Sequence, residues 1–374
     1  MKVLFVASVF RHLKAFHTPF IHLLQEKGCE VWAAANGDFA ARRMLEENGV
    51  KCVEITFSRN PLSKSNIVAY QQTKDLLRNE QFDLVHVHTP VAAFLTRIAF
   101  RNIKKGRMIY TAHGFHFFKG APKRNWILFF IAERIVRKWT DAIIVMNSED
   151  YKNASKLGFE KKKIFFTHGV GVDISSYNQS QKTVDEIKSA LGIDKNSVVI
   201  SCIAELNENK NHQFLLRNWK AICTECPDAT LLLIGKGSKE QELREFSEKK
   251  LSNVKFLGYR KDVPDILKVT DIVTLLSKRE GLPRSIMEAM SAEIPCIVTN
   301  TRGLRDLVVD GESGYVIEHD DDLHLRQSFI SLIKDKSKRI RMGKCGFELV
   351  QPYDIKNVLK EYEAIYEKYL DKKK

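Results

Sequence analysis

No apolar run in this sequence is long enough to cross a bilayer. The longest, at 126–132, breaks at Glu133 and Arg134, far short of the ~20 residues that a spanning helix needs. The opening segment is apolar, but it lacks a basic leader of any length and a small-residue cleavage site, and His12 and Lys14 follow it. It reads as a first strand rather than a secretion signal. Cysteine is sparse: seven residues, an odd number, are scattered through strand-like and helix-like segments, as expected of buried thiols in a reducing cytosol. Cys223 and Cys226 make a single C-x-x-C with no second pair, which argues against a zinc ribbon. Glycine is missing where a nicotinamide-binding protein needs it. SVFRHLK follows the first strand, and the third glycine of the dinucleotide fingerprint is absent from the later Gly235-x-Gly237.

The chain has 374 residues, 44% hydrophobic and 28% charged, enough apolar material for one large or two medium cores. Its net charge of +14 is unevenly placed: residues 1–175 hold 27 basic and 15 acidic side chains, the remainder 33 and 31. An anionic partner is therefore expected to meet the N-terminal half. Nucleic acid fits poorly as that partner, because no DNA- or RNA-binding motif accompanies the charge.

Short β-rich runs at 2–8, 30–35, 83–88, 107–112, 141–146 and 163–167 alternate with helical patterns near 12–28, 39–48, 64–79, 91–103, 122–138 and 148–157. LVHV and AIIVM have the near-continuous apolar character of parallel strands covered on both faces. A second series follows, with strands at 198–204, 230–234, 254–257, 272–276 and 294–299 and helices near 183–191, 210–224, 238–249, 284–292, 322–335 and 355–371. Between them, residues 172–182 are polar and rich in Ser, Asn and Gln. The expected organisation is α/β: two Rossmann-like doubly wound domains, 1–175 and 176–355, facing a central cleft. A C-terminal helix in 356–374 is expected to pack back on the first domain. Ligands of such sheets bind outside the strand C-termini.

Two motifs point to the ligand. Gly235-x-Gly237 ends a strand and permits close approach of backbone to a phosphate or to another strand. More specific is Glu280-Gly281-Leu282-Pro283-Arg284-Ser-Ile-Met-Glu288, after the strand-like DIVTLLS. Gly281 and Pro283 turn the chain into a helix whose first-turn N–H groups can hold a diphosphate. Glu280 and Glu288 can grip vicinal sugar hydroxyls, since a carboxylate accepts paired hydrogen bonds.

These residues, with DLVHVHTP at 83–90, Thr111-Ala-His113-Gly114, HGVGVD ending at Asp173, Leu206 to Asn211, LGYRKD at 257–262 and DGESG at 310–314, stand in one order over nearly the whole chain. The sequence resembles the retaining glycosyltransferases of family 4, which have the GT-B fold, and in particular the bacterial members that build exopolysaccharide and capsule. The resemblance implies a nucleotide-sugar donor, with uridine diphosphate as the expected carrier and a hexose or N-acetylhexosamine as the sugar. It implies catalytic roles for His113, Lys210 and Glu280: Lys210 anchors phosphate, Glu280 the transferred sugar, and His113 lies near that sugar. Glu288 would bind the ribose. Gly235, Gly281, Leu282, Pro283 and Arg284 would lie along the diphosphate and sugar, and Tyr259 and Arg260 beside the base. A lipid-diphosphate-linked glycan is the implied acceptor.

The pattern is departed from at Glu205, where relatives usually carry an arginine; Arg284, Arg279 or Arg302 is then expected to supply the missing cation. The first loop, Phe10-Arg11-His12, lacks the usual glycines, and His12, His17 and His116 are the candidates for the acceptor side. The only Asp-x-Asp, Asp320–Asp322, reads as an acid-rich helix start, so neither metal nor other cofactor is expected. Residues 97–138 interleave Arg97, Arg101, Lys104, Arg124, Arg134 and Lys138 with Phe100, Phe117, Trp126 and Phe129, which suits peripheral docking on the anionic inner face of the plasma membrane. Helix 125–138 burying its aromatics in the core is the competing reading. The alternative function is a catalytically silent scaffold that keeps the fold and, with Glu205 in the phosphate site, only binds donor.

Overall fold

The computed structural model describes residues 1–103, 105–178, 180–251 and 253–370. Lys104 of the basic stretch, Gln179 of the linker and the last residue of the expected 355–371 helix lie outside the described residues. The chain forms two compact units: residues 1–170 with the described part of 356–374, and residues 171–355.

In the first unit, seven strands form one parallel sheet: β1 Lys2–Val9, β2 Glu30–Asn36, β3 Lys51–Glu54, β4 Leu84–Val87, β5 Arg107–Ala112, β6 Ala142–Val145 and β7 Ile164–Phe166. Their order is β3-β2-β1-β4-β5-β6-β7. Alternation along β1 sets the two layers. Val3, Phe5 and Ala7 pack with Phe10, Leu13 and Phe20 of helix Phe10–Glu26 and with Val358, Tyr362 and Tyr366 of helix Ile355–Leu370. Leu4 and Val6 face the other way, onto Ala69 of helix Ser65–Glu80 and Ala92, Ala93 and Ala99 of helix Pro90–Phe100. The order therefore reverses between β1 and β4. At that point Ser8 Oγ and Thr89 Oγ1 lie 2.8 Å apart, and the Ser8 N–H donates to the same oxygen at 2.9 Å. The C-terminal helix is tied to this unit by Lys27 to Glu363 and Glu367, at 2.6 and 2.7 Å, as well as by its buried tyrosines.

The second unit has β8 Val198–Ile203, β9 Ala229–Ile234, β10 Val254–Gly258, β11 Ile272–Leu275, β12 Cys296–Thr299 and β13 Gly314–Ile317, in parallel order β10-β9-β8-β11-β12-β13. Its reversal lies between β8 and β11. Ile200 and Cys202 pack with helix His212–Glu225 on one face. Val273 and Leu275 pack with Ile286, Met287 and Met290 of helix Arg284–Ser291 on the other.

Four elements of these layers differ from the sequence reading. β3 and β13 are four-residue edge strands, too short for an alternation signal. Helices Val263–Lys268 and Lys336–Val350 lacked one too, the first for its length and the second because two glycines interrupt it. The start of the second unit also moves forward, from 176 to 171. Val172, Ile174 and Tyr177 sit in the second core, so the linker's apolar residues outweigh its polar ones.

The basic stretch is corrected as well. Arg97 is fully buried and no surface cation: its guanidinium makes two bonds to Glu133, at 2.8 and 2.9 Å, and lies 4.1 Å from the Tyr110 ring centre. Phe100 and Phe117 are buried, and Trp126, Phe129 and Phe130 pack against the core. What faces solvent instead is aliphatic: Ile127, Leu128, Ile131 and Ile135 are each at least half exposed. They are flanked by exposed Lys123, Arg124, Arg134 and Lys138, at the spacing of one helix face. No helix among the described residues is long and apolar enough to cross a membrane.

Candidate active site

Beside the reversal of the second sheet, the loop after β8 carries Lys210. The Asn207 side chain accepts from the Lys210 N–H at 3.1 Å, closing a single turn over Glu208–Lys210. Asn211, in the left-handed region at φ 55°, then starts the next helix. Lys210 Nζ reaches Glu280 Oε1 at 2.6 Å, with the two side chains 21% and 11% exposed. The loop bearing Glu280 is clamped from both sides. Asn209 Nδ2 donates to the Arg279 carbonyl at 2.9 Å, the Lys278 N–H to the Asn209 carbonyl at 2.8 Å, and Arg302 Nε to the Glu280 carbonyl at 3.0 Å. A Cβ on Gly303 would stand 2.1 Å from the Gly281 carbonyl oxygen, so the segment after β12 can press on this loop only because residue 303 is glycine.

Pro283 precedes helix Arg284–Ser291, and no side chain caps that end. An uncapped helix start of this kind can meet an anion. Leu282 packs partly into the core beneath. One turn into the helix, Glu288 accepts from Arg284 Nε at 2.9 Å, with the Tyr177 hydroxyl close by. Burial pushes the Glu288 carboxyl above its ordinary range, while Arg284 and Tyr177 pull it back. Burial, then the Glu288 charge, also raises the Tyr177 phenol. Tyr177 was missed in the sequence because it stands in a segment read as a polar linker.

Among the remaining donor candidates, the Glu205 side chain is exposed. Of the cations expected to replace an arginine there, Arg302 is buried and bonded to the Glu280 carbonyl, and Arg284 is paired with Glu288. The close approach that Gly235 and Gly237 permit is to backbone, since their Cβ atoms would lie 2.0 Å from the Ala204 oxygen and 2.3 Å from the Leu206 oxygen. Tyr259 is 69% exposed. Arg260 is held by Asp262 through two bonds, at 2.8 and 2.6 Å, a pairing that lowers the Asp262 pKa and raises that of Arg260. Asp320 and Asp322 both contact Arg217, at 3.1 and 3.0 Å, while Asp321 caps the helix that follows. All seven cysteines are free thiols.

In the first unit the structure brings three acceptor-side and catalytic candidates together. His12 and His17 lie on helix Phe10–Glu26, and His113 follows β5. Ring centres are 4.9 Å apart for His12 and His113, 5.2 Å for His17 and His113, and 5.3 Å for His12 and His17. His86 and His88, from DLVHVHTP, complete the group, with His17 and His88 rings 3.7 Å apart. Burial is the first cause holding these imidazoles neutral, with His12 lowered to about 4 and His86 to about 3. His116 goes elsewhere: its ring lies against Phe129 at 4.6 Å.

Two family models match the chain: Glycosyltransferase Family 4 over residues 20–174 and Glycosyl transferases group 1 over residues 183–348. The putative glycosyltransferase EpsD of Bacillus subtilis is 32% identical, with 99% of this chain and 97% of that protein covered. The UDP-Gal:alpha-D-GlcNAc-diphosphoundecaprenol alpha-1,3-galactosyltransferase of Escherichia coli is 29% identical, with 79% and 77% covered. Among solved structures, Anabaena HepE in complex with UDP and glucose superposes with a TM-score of 0.80 at 18% identity, over 98% of this chain and all of that one.

Proposed function

The chain belongs to the family 4 glycosyltransferases and has their GT-B fold, and on that premise we propose that it moves a hexose or N-acetylhexosamine from a uridine diphosphate sugar, with retention, to a lipid-diphosphate-linked glycan of a surface polysaccharide. The observation that carries this reading is the 2.6 Å Lys210–Glu280 pair, partly open to solvent beside an uncapped helix start. It sets a cation for phosphate next to a carboxylate for sugar hydroxyls.

In the proposed reaction the acceptor hydroxyl oxygen bonds to the anomeric carbon on the face from which the diphosphate departs. The bond from that carbon to the phosphate oxygen breaks, and the hydroxyl proton passes to the departing phosphate. Negative charge grows on the leaving group. Lys210 and the amides at the start of helix Arg284–Ser291 stabilise that charge without a metal ion, and fixed donors of this kind are each worth ~2.7–4 kcal/mol of barrier. Glu280 orients the transferred sugar and Glu288 the ribose. Gly281, Leu282 and Pro283 line the diphosphate, and Tyr259 and Arg260 receive the base. His113 is the catalytic candidate of the N-terminal domain. The names of the E. coli relative and of the HepE complex, with their uridine nucleotides and lipid diphosphate, support the choice of donor and acceptor.

The same reading puts the protein peripherally on the cytoplasmic face of the plasma membrane. The aliphatic stripe Ile127, Leu128, Ile131 and Ile135, flanked by cations, has the chemistry of an interfacial helix meeting anionic lipid. The primary test is calorimetric binding of UDP, GDP, ADP and NAD in EDTA. UDP preference, weakened in Lys210→Ala, supports the donor site; preference for NAD or a strict need for metal overturns it. Tight UDP binding without turnover on any acceptor favours the silent scaffold.

A further inference from the structure

The five clustered histidines of the first unit are not equally satisfied. His86 is a fully bonded core histidine: Nδ1 lies 3.0 Å from the Tyr366 hydroxyl and Nε2 2.7 Å from Thr111 Oγ1. His17 is its opposite. Its side chain is wholly buried, and neither ring nitrogen has a hydrogen-bond partner. His12 Nε2 and His88 Nε2 are likewise buried without one. Leaving a buried donor or acceptor unmatched is costly, and native proteins seldom do so without a reason such as a bound ion.

Two of the rings with unmatched nitrogens, His12 and His17, converge with a third, His113. His12, His17 and His113 each offer one ligating atom, and these three atoms lie within 4.8 Å of one another. An ion at the usual zinc–nitrogen distance of about 2.0–2.1 Å would draw them closer by small rotations of the rings. Placement favours this. Two of the rings come from one helix and the third from the end of β5, so the helix and the sheet hold the group from two sides. His88 Nδ1 lies 3.3 Å from His113 Nε2, a contact that fixes the His113 ring as outer partners of metal ligands do.

We propose that His12, His17 and His113 form a divalent transition-metal site, of the zinc type, at the C-terminal edge of the first sheet. Three imidazoles without a carboxylate suit Zn2+ and its neighbours and not the oxygen-seeking Mg2+ or Ca2+. Three protein ligands leave a fourth position for an oxygen, from water or from a hydroxyl or phosphate group of a ligand. The site goes beyond the transfer reaction proposed above and shares one residue with it: as a zinc ligand His113 would not also contact the transferred sugar, whereas the donor contacts of Lys210 and Glu280 lie in the other domain and stand or fall separately.

The test uses the full chain, stripped with EDTA and desalted, then titrated with Zn2+ against a chromophoric chelator and with Co2+ by visible absorption. One tight equivalent, with the intense visible bands of four-coordinate cobalt, is expected. His12→Gln and His17→Gln are each expected to weaken zinc by more than about 100-fold, the upper end of what losing an outer partner costs. His324→Gln, in the second unit, should bind like the parent. His12 is the less buried of the two replaced rings, so its variant stays informative where His17→Gln fails to fold. A parent protein that holds zinc no more tightly than His12→Gln does, or gives only the weak spectrum of six-coordinate cobalt, overturns the proposal.

Discussion

Lys210 Nζ sits 2.6 Å from Glu280 Oε1, joining the loop after β8 to the loop after β11 across the reversal of the second sheet. Neither side chain is more than about a fifth exposed. Each therefore holds the other in place, and in the proposed reaction the diphosphate takes the place of Glu280 as the anionic partner of Lys210. Lys210→Ala is expected to lower kcat/KM by about 10²–10³-fold, the loss of one fixed donor to the leaving group. Lys210→Ala with Glu280→Gln should cost less than the sum of the two single changes, since the residues are in contact. Steady-state kinetics of the four proteins checks both; strict additivity would mean that the pair does not act as a unit.

The Arg97–Glu133 pair makes a prediction about stability alone. Both side chains are almost entirely shielded from water, and removing one partner leaves a buried charge without compensation. Arg97→Met is expected to cost about 3–5 kcal/mol, and Arg97→Met with Glu133→Leu to recover most of it, because an apolar pair of similar volume often replaces a buried ion pair at little cost. Urea unfolding at neutral pH measures each. A double variant no more stable than the single one would point to the Tyr110 and Ala93 contacts of Arg97 as the larger contribution.

The same residue shows where the sequence is legible and where it is not. Strands such as LVHV and AIIV announce themselves because a parallel strand covered on both faces needs an unbroken apolar run, and the loops bearing Lys210 and Glu280 follow from the strands before them. Arg97 gives no such signal: a cation on a helix looks alike whether water or a carboxylate thirty-six positions later receives it. His12, His17, His86, His88 and His113 are spread over a hundred positions, and only the pairing of β1 with β4 and β4 with β5 gathers them. The sequence offers His12 and His17 as acceptor-side candidates and His113 as a catalytic one, but gives no sign that the five rings form one group.

Buried neutral histidines set a pH dependence. Burial, helped by Lys210, lowers His212 to about 4, and burial lowers His86 to about 3, whereas an unfolded histidine titrates near 6.5. Between those values the unfolded chain binds a proton that the native ring refuses. Their contribution is therefore complete above about pH 6.5 and is lost as the pH falls, by about 1.4 kcal/mol per pH unit for each ring. Urea midpoints at about pH 7.5 and 5 should differ less in His212→Gln than in the parent, by the share of one proton. Equal differences would show that His212 is protonated in the native state.

The proposed membrane docking turns on a choice between two faces of one helical stretch. The aromatics Trp126, Phe129 and Phe130 are packed against the first core, so they are not available to a bilayer. Ile127, Leu128, Ile131 and Ile135 are exposed together, between Arg124 and Lys138, each with at least half of its surface open to solvent. Ile131→Glu sets a carboxylate at the middle of that stripe, where it both removes apolar area and repels anionic lipid. Co-sedimentation with vesicles containing phosphatidylglycerol is expected to fall by about tenfold or more, since one large aliphatic side chain contributes about 1.5–3 kcal/mol of burial, while UDP binding stays as in the parent. Arg124→Glu should weaken binding less and in a way that added salt obscures, because its contribution is electrostatic and screened. Equal vesicle binding by the parent and Ile131→Glu would assign the positive charge of the N-terminal half to solvation and leave the acceptor to be met away from the lipid surface.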